Sequence, residues 1–161
     1  MKRSAPVFGR VPGVTNSAED VLIETGAGDH ALSARLNQEL HDYNVQVTGA
    51  DDQAELSVRA VDADGELVGG LTGWTWAGCG GVELLWVRAD RRGESWGRAL
   101  MDAAETEARR RGCTQMIVST LSFQAPGFYR SLGYVETGRT EGHPIGHADL
   151  HFTKQLGPAV D

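Results

Sequence analysis

Apolar positions recur along this chain with three different spacings, and each spacing predicts a different element. From His30 to Asn44, Ala31, Ala34, Leu36, Leu40 and Tyr43 fall roughly on one helical face, with Gly26 and Gly28 supplying the turn before it and Asp29 at the N-cap. A short apolar strand, Val21 to Thr25, precedes this helix. In "AELSVRAV" Leu56, Val58 and Ala60 alternate with polar residues, which predicts a half-buried strand. "DADG" follows as a hairpin turn and leads into "ELVGGLTGWTW". "GGVELLWV" is almost continuously apolar and bounded by glycines, as a central strand covered on both faces would be.

The longest helix candidate runs from Ser95 to Arg111, with Trp96, Leu100, Ala103 and Ala104 as its inward stripe. Arg109, Arg110 and Arg111 sit at its C-terminal pole, and Gly112 follows as the cap. "TQMIVST" reads as a further buried strand, Ala125 to Leu132 as a short helix stopped by Gly133, and "YVETGRT" and "HADLHFTKQL" as two alternating strands joined by a Gly/Pro loop. The order β-α-β-β-β-α-β-α-β-β predicts an α/β (α+β) fold, a mixed sheet of about six to seven strands with helices on its faces.

Composition narrows the class. With 161 residues, 40% of them apolar and 23% charged, the chain suits one globular domain. Residues 1–18, rich in Pro, Gly and Ser and without apolar period, are expected to form a flexible arm, leaving 19–161 as a single domain. The net charge is −7, although Lys2, Arg3 and Arg10 make the first residues basic. An acidic body argues against nucleic acid as partner. No apolar run approaches the roughly 18 residues of a membrane span, and no apolar segment follows Lys2 and Arg3 as in a secretory leader. Cys79 and Cys113 lie far apart, in no metal or redox spacing, so a reducing, cytoplasmic setting is expected.

Chemistry concentrates in "DRRGESWGRAL", residues 90–100. A strand ends just before it and a helix begins within it. A helix N-terminus exposes unpaired N–H groups and a partial positive charge. Gly93, Ser95 and Gly97 are small enough to let a ligand approach the backbone, and Arg91, Arg92 and Arg98 add charge. A pyrophosphate suits such a cradle. Two common phosphate motifs are excluded: no Gly-Lys-Ser/Thr is present, and no Gly-x-Gly-x-x-Gly follows the first strand. Asp62 and Asp64 belong to the hairpin turn and not to a calcium loop, since spaced ligands and a closing glutamate are missing. His143, His147 and His151 are spaced for one helical face, but Pro144 and Gly146 forbid a helix there, so no metal is expected.

Two pieces of the chain together resemble the GNAT superfamily of N-acetyltransferases. Arg92-Gly93-Glu94-Ser95-Trp96-Gly97 is similar to that family's acyl-CoA loop, Arg/Gln-x-x-Gly-x-Gly/Ala, with Ser95 in the first glycine slot. At a helix start Ser95 is expected at negative φ, where serine is tolerated. Ala125, Tyr129, Gly133 and Tyr134 match the family's later Ala-x-x-x-Tyr-x-x-x-Gly-Phe/Tyr, and "ELLWV" stands where its central strand does. The likeness spans roughly residues 20–156 and points to the bacterial small-molecule branch.

The resemblance implies direct acetyl transfer from acetyl-CoA to the primary amine of a small molecule. It implies that the main chain around Trp86, Val87 and Arg88 pairs with the pantetheine arm, with an amide near Val87 on the thioester oxygen. The amides from Arg92 through Gly93, Glu94, Ser95, Trp96 and Gly97 to Arg98 would hold the pyrophosphate, and Ser122 joins the cofactor-binding set. Tyr129, a phenol with pKa about 10, is the expected general acid. Glu83, an acid inside an apolar strand where burial is costly, is the expected base. His143 and His147 on the last hairpin, and Trp74 and Trp76 on one strand face, are candidates for the acceptor site. Neither cysteine has an adjacent histidine, so no covalent acyl-enzyme is expected. Homodimers are frequent in the family, and one is expected here. Acetylation of a protein terminus or lysine is the alternative within enzymes, and a non-catalytic acyl-CoA-binding module is the alternative outside them.

Overall fold

The computed structural model describes residues 8–10 and 23–157. The chain divides into two compact units, residues 1–49 and 50–161.

In the first unit β1 (Phe8–Arg10) pairs antiparallel with β2 (Glu24–Gly26). A strand therefore occupies part of the expected arm, and the rest of that arm lies outside the described residues. The strand expected at Val21–Thr25 is shifted, since β2 starts at Glu24 and Val21 lies outside the described residues. It also belongs to this separate two-stranded sheet and not to the central one. Helix α1 (His30–Thr48) starts as expected: Asp29 Oδ1 accepts from the N–H groups of Ala31 (2.9 Å) and Leu32 (3.1 Å). It runs one turn beyond Asn44 to a left-handed Gly49.

The second unit is built on six strands: β3 (Ala54–Val61), β4 (Leu67–Trp76), β5 (Cys79–Val87), β6 (Gln115–Leu121), β7 (Val135–Glu141) and β8 (Ala148–Gln155). Their order in the sheet is β3-β4-β5-β6-β8-β7, and only β5 and β6 run parallel. The β3–β4 hairpin closes as the Asp-Gly signal predicts, with Asp62 Oδ1 accepting from Asp64 and Glu66 N–H. Helix α2 (Trp96–Arg110) forms the crossover from β5 to β6, and α3 (Pro126–Ser131) follows β6.

Helix α2 buries Leu100, Met101, Ala104, Glu105 and Ala108 against Leu56, Leu71, Val82, Met116, Val118 and Phe152 of the sheet. The expected stripe is thus rotated: Ala103 is exposed and Trp96 only half-buried. Glu105 lies on the inward face because Lys154 Nζ meets both its carboxylate oxygens at 2.7 Å and Arg109 Nη2 lies at 3.3 Å. A buried carboxylate is tolerable only with such partners. The expectation that β5 is covered on both faces fails in its second half. Leu84 is 68% exposed and Trp86 49%, because both point to the sheet face opposite α2, beside Ser57, Arg59, Gly70 and Thr72, and this half of the strand also borders an open cleft.

Candidate active site

The cleft begins where β5 and β6 separate. Their pairing runs from Cys79↔Gln115 to Val82↔Val118 and stops there, although β5 continues to Val87 and β6 to Leu121. At the same point β5 carries a bulge: Val82 pairs with Gly73 and Leu84 with Thr72, so Glu83 is the extra residue. A bulge bends its strand and breaks the ladder beside it. The gap is a cleft of about 830 Å³ lined by residues Val82–Val87 of β5, Val118–Thr120 of β6, the loop before α2, and Phe123–Ala125, Phe128 and Tyr129 around α3.

The main chain of β5 offers hydrogen-bonding groups to this gap. Arg88 N–H donates to Val68 C=O of β4 at 2.8 Å. Alternation along the strand then turns the N–H groups of Trp86 and Leu84 toward β4 as well, and those of Leu85 and Val87 toward the gap. The expectation for the main chain of Trp86 and Arg88 is corrected accordingly, since their amides serve the sheet. The Arg88 side chain is engaged elsewhere too, with Asp90 at 2.9 Å and Asp62 at 3.4 Å.

At the far end of the cleft the loop before α2 presents donors. Among the described residues no oxygen accepts from the N–H groups of residues 93–98, and no side chain caps α2. Six amides near one helix terminus make a receptor for a pyrophosphate. Gly93 takes φ +82°, with open space around it. Gly97 faces Phe128: a Cβ there would stand 3.2 Å from the ring. Ser95 contradicts its expectation, with φ +67° in the left-handed region. The turn needs a left-handed residue before the helix, and serine holds that conformation at a cost of about 1–2 kcal/mol. Glu94 is neutralised locally, because Arg91 Nε (2.9 Å) and Trp96 Nε1 (3.1 Å) both donate to its Oε2. Arg92 Nε donates to Val87 C=O (3.1 Å), and Arg98 Nη2 donates to Ser131 C=O (3.4 Å).

Tyr129, on α3, is 6% exposed, and burial raises its phenol pKa above the usual value. It lines the cleft. Glu83 lines the same cleft but is exposed on its bulge. The expectation of a buried carboxylate in mid-strand is therefore corrected: the bulge lifts it out of the apolar layer.

Other expected site residues lie apart. The Ser122 hydroxyl accepts from Ala148 N–H (3.1 Å) and stands 3.5 Å from His147 Nδ1, which ties it to the last hairpin and not to the cleft wall. His147 packs edge-on against Phe123, a cleft residue, with ring centroids 4.7 Å apart. His143 does not line the cleft. Trp76 Nε1 donates to Ala50 C=O at 3.4 Å, whereas Trp74 leans over Gly81. Among the described residues no three His, Cys, Asp or Glu side chains form a metal-binding group, and no helix is long and apolar enough to cross a membrane. Sequence reasoning missed Leu85, Ser119, Phe123, Gln124 and Phe128 as wall residues, because nothing in their spacing signals a strand pair that parts.

The model of the acetyltransferase (GNAT) family matches residues 26–134, more than half of the chain. The chain belongs to the GNAT acetyltransferase family. It is an N-acetyltransferase. Blasticidin-S acetyltransferase of Streptomyces morookaense is 42% identical over 96 residues, 57% of this chain and 68% of that protein. The crystal structure of an acetyltransferase from Bacillus cereus superposes with TM-score 0.74 at 30% identity, covering 80% of this chain and 94% of that one. An aminoglycoside 6'-N-acetyltransferase complexed with coenzyme A shares the fold, with TM-score 0.58 at 20% identity over 83% of this chain and 95% of that one.

Proposed function

We propose that this enzyme moves an acetyl group from acetyl-CoA to a primary amine of a small molecule, with an antibiotic such as blasticidin S as the leading acceptor. The observation that carries the reading is the end of β5–β6 pairing at Val82↔Val118, which opens a cleft from the free amides of residues 93–98 to Tyr129. The similarity to a blasticidin-S acetyltransferase supports the acceptor class.

Acetyl-CoA supplies a thioester carbonyl as electrophile and a thiol as leaving group. The amides of residues 93–98, with Arg92 and Arg98 beside them, hold the pyrophosphate. The N–H groups of Leu85 and Val87 orient the arm as an added strand, and that of Val87 polarises the carbonyl oxygen. Glu83 takes the proton that the amine nitrogen loses as the N–C bond forms. Tyr129 hands its hydroxyl proton to sulfur as the C–S bond breaks. The protonated carboxyl and the phenolate then re-equilibrate through solvent, which restores both groups. Burial keeps Tyr129 protonated through neutral pH, as this role requires.

Calorimetric titration with acetyl-CoA, followed by thiol release with blasticidin S, tests the reading. The wild type is expected to bind and turn over. Gly97→Glu, which puts bulk against Phe128 and negative charge into the cradle, is expected to weaken acetyl-CoA binding at least 100-fold while its circular dichroism stays native. A wild type that does not bind acetyl-CoA would overturn the proposal.

A further inference from the structure

A second space lies on the sheet face opposite α2. Gly80 faces α2, since a Cβ there would lie 3.5 Å from Ala108 Cβ. Gly81, next along the strand, faces the other way. On that side a hollow of about 380 Å³ is walled by Trp74, Ile117, Ser119, Thr137, His151 and Thr153. It shares Val82, Val118 and Ser119 with the cleft, so the two meet where β5 and β6 part.

The register explains the wall. Trp74 pairs with Gly81, Gly81 with Ile117 and Ile117 with Thr153, forming one row across four strands. Ser119 pairs with His151, and His151 with Gly138, forming the next row. The Trp74 indole occupies the space that a side chain at Gly81 would fill, since a Cβ there would lie 2.4 Å from Cε2 and Cζ2. A glycine under an indole fixes the ring against the sheet and leaves its other surface toward the hollow. Thr137 Oγ1 donates to the His151 carbonyl (3.3 Å), which holds the two strands together beside the imidazole.

The chemistry of this wall is specific. It offers an aromatic ring, an imidazole and the hydroxyls of Ser119, Thr137 and Thr153, and it contains no carboxylate. A flexible polycation finds no countercharge there. A flat ring with hydrogen-bonding edges finds a stacking surface and several partners.

We propose that this hollow is the acceptor subsite and that it selects a planar heteroaromatic ring carrying or bearing on a short arm the reacting amine, stacked on Trp74 with its edge toward His151 and Ser119. The proposal rests on the transferase reading above and adds the substrate class. It assigns His151 a specificity role and leaves His143 and Trp76 outside the subsite.

Initial rates of thiol release from acetyl-CoA, measured with tryptamine, histamine and blasticidin S against putrescine and spermidine, test it. The heteroaromatic amines are expected to show KM values at least tenfold below those of the aliphatic ones. Trp74→Ala is expected to raise KM for the heteroaromatic amines about tenfold, the size of a lost stacking contact, with the calorimetric Kd for acetyl-CoA unchanged. Trp74→Phe, which keeps a ring and guards against loss of folding, should retain most of the affinity, and His151→Ala should raise KM severalfold. Aliphatic amines preferred or equal, or an unchanged KM in folded Trp74→Ala and His151→Ala, would overturn the subsite and leave the transferase standing. No thiol release with any amine would overturn both.

Discussion

The two halves of β5 have nearly the same apolar character and opposite environments. Residues 79–82 lie between two paired neighbours, and Val82 is sealed into the core with Met116 and Val118. Residues 83–87 keep β4 on one side and lose β6 on the other, leaving two amides unspent, and Leu84 and Trp86 stand exposed on the face opposite α2. The change takes place at one residue, the bulged Glu83. An apolar run can therefore mean two different things, a covered core or the wall of a cleft, and the hydrogen-bond ladder distinguishes them where hydropathy does not.

The largest expected separation is catalytic. Tyr129→Phe, at the open end, is expected to lower kcat by a factor of about 10²–10⁴ while acetyl-CoA Kd stays within about twofold, as steady-state rates and calorimetry would show. Unchanged turnover would remove the tyrosine as general acid.

Stability should separate the halves in the other direction. Met116 is fully buried beside the paired half, and Met116→Ala is expected to cost about 2–5 kcal/mol in urea unfolding. Leu84→Ser, in the parted half, is expected to change stability by less than about 0.5 kcal/mol. Equal costs would mean that the two halves are covered alike.

The smallest effect tests the cradle. Ser95→Gly relieves the left-handed strain at φ +67° but loosens the unfolded chain, so a net gain of about 0.5–1 kcal/mol is expected in thermal unfolding. A loss of stability would show that the serine side chain makes up for its backbone.

Much of this fold is legible in the sequence because its signals are local. Asp29 before a helical stripe, Asp-Gly between alternating strands and Gly112 and Gly133 after helices each fix their element through nearby atoms. Non-local facts were hidden. Nothing near Glu83 in the sequence states that β6 turns away beside it, so its exposure and the wall roles of Leu85 and Ser119 could not be read. Arg88 looked like part of the cofactor strand until its amide was found on Val68 and its guanidinium on Asp62 and Asp90. Ser95 looked helical because it precedes a helix, yet the turn into that helix requires left-handed φ. Glu105 carries no sign of burial in the sequence, because its partner Lys154 lies 49 residues away.

Amide hydrogen exchange with and without saturating acetyl-CoA, read residue by residue, tests the central claim most directly. The parted half is predicted to change: protection should rise at Leu85, Val87 and residues 93–98, while residues 80–82, already paired, stay as they are. Saturable binding with no new protection at Leu85 and Val87 would contradict the claim that the opened strand edge receives the cofactor.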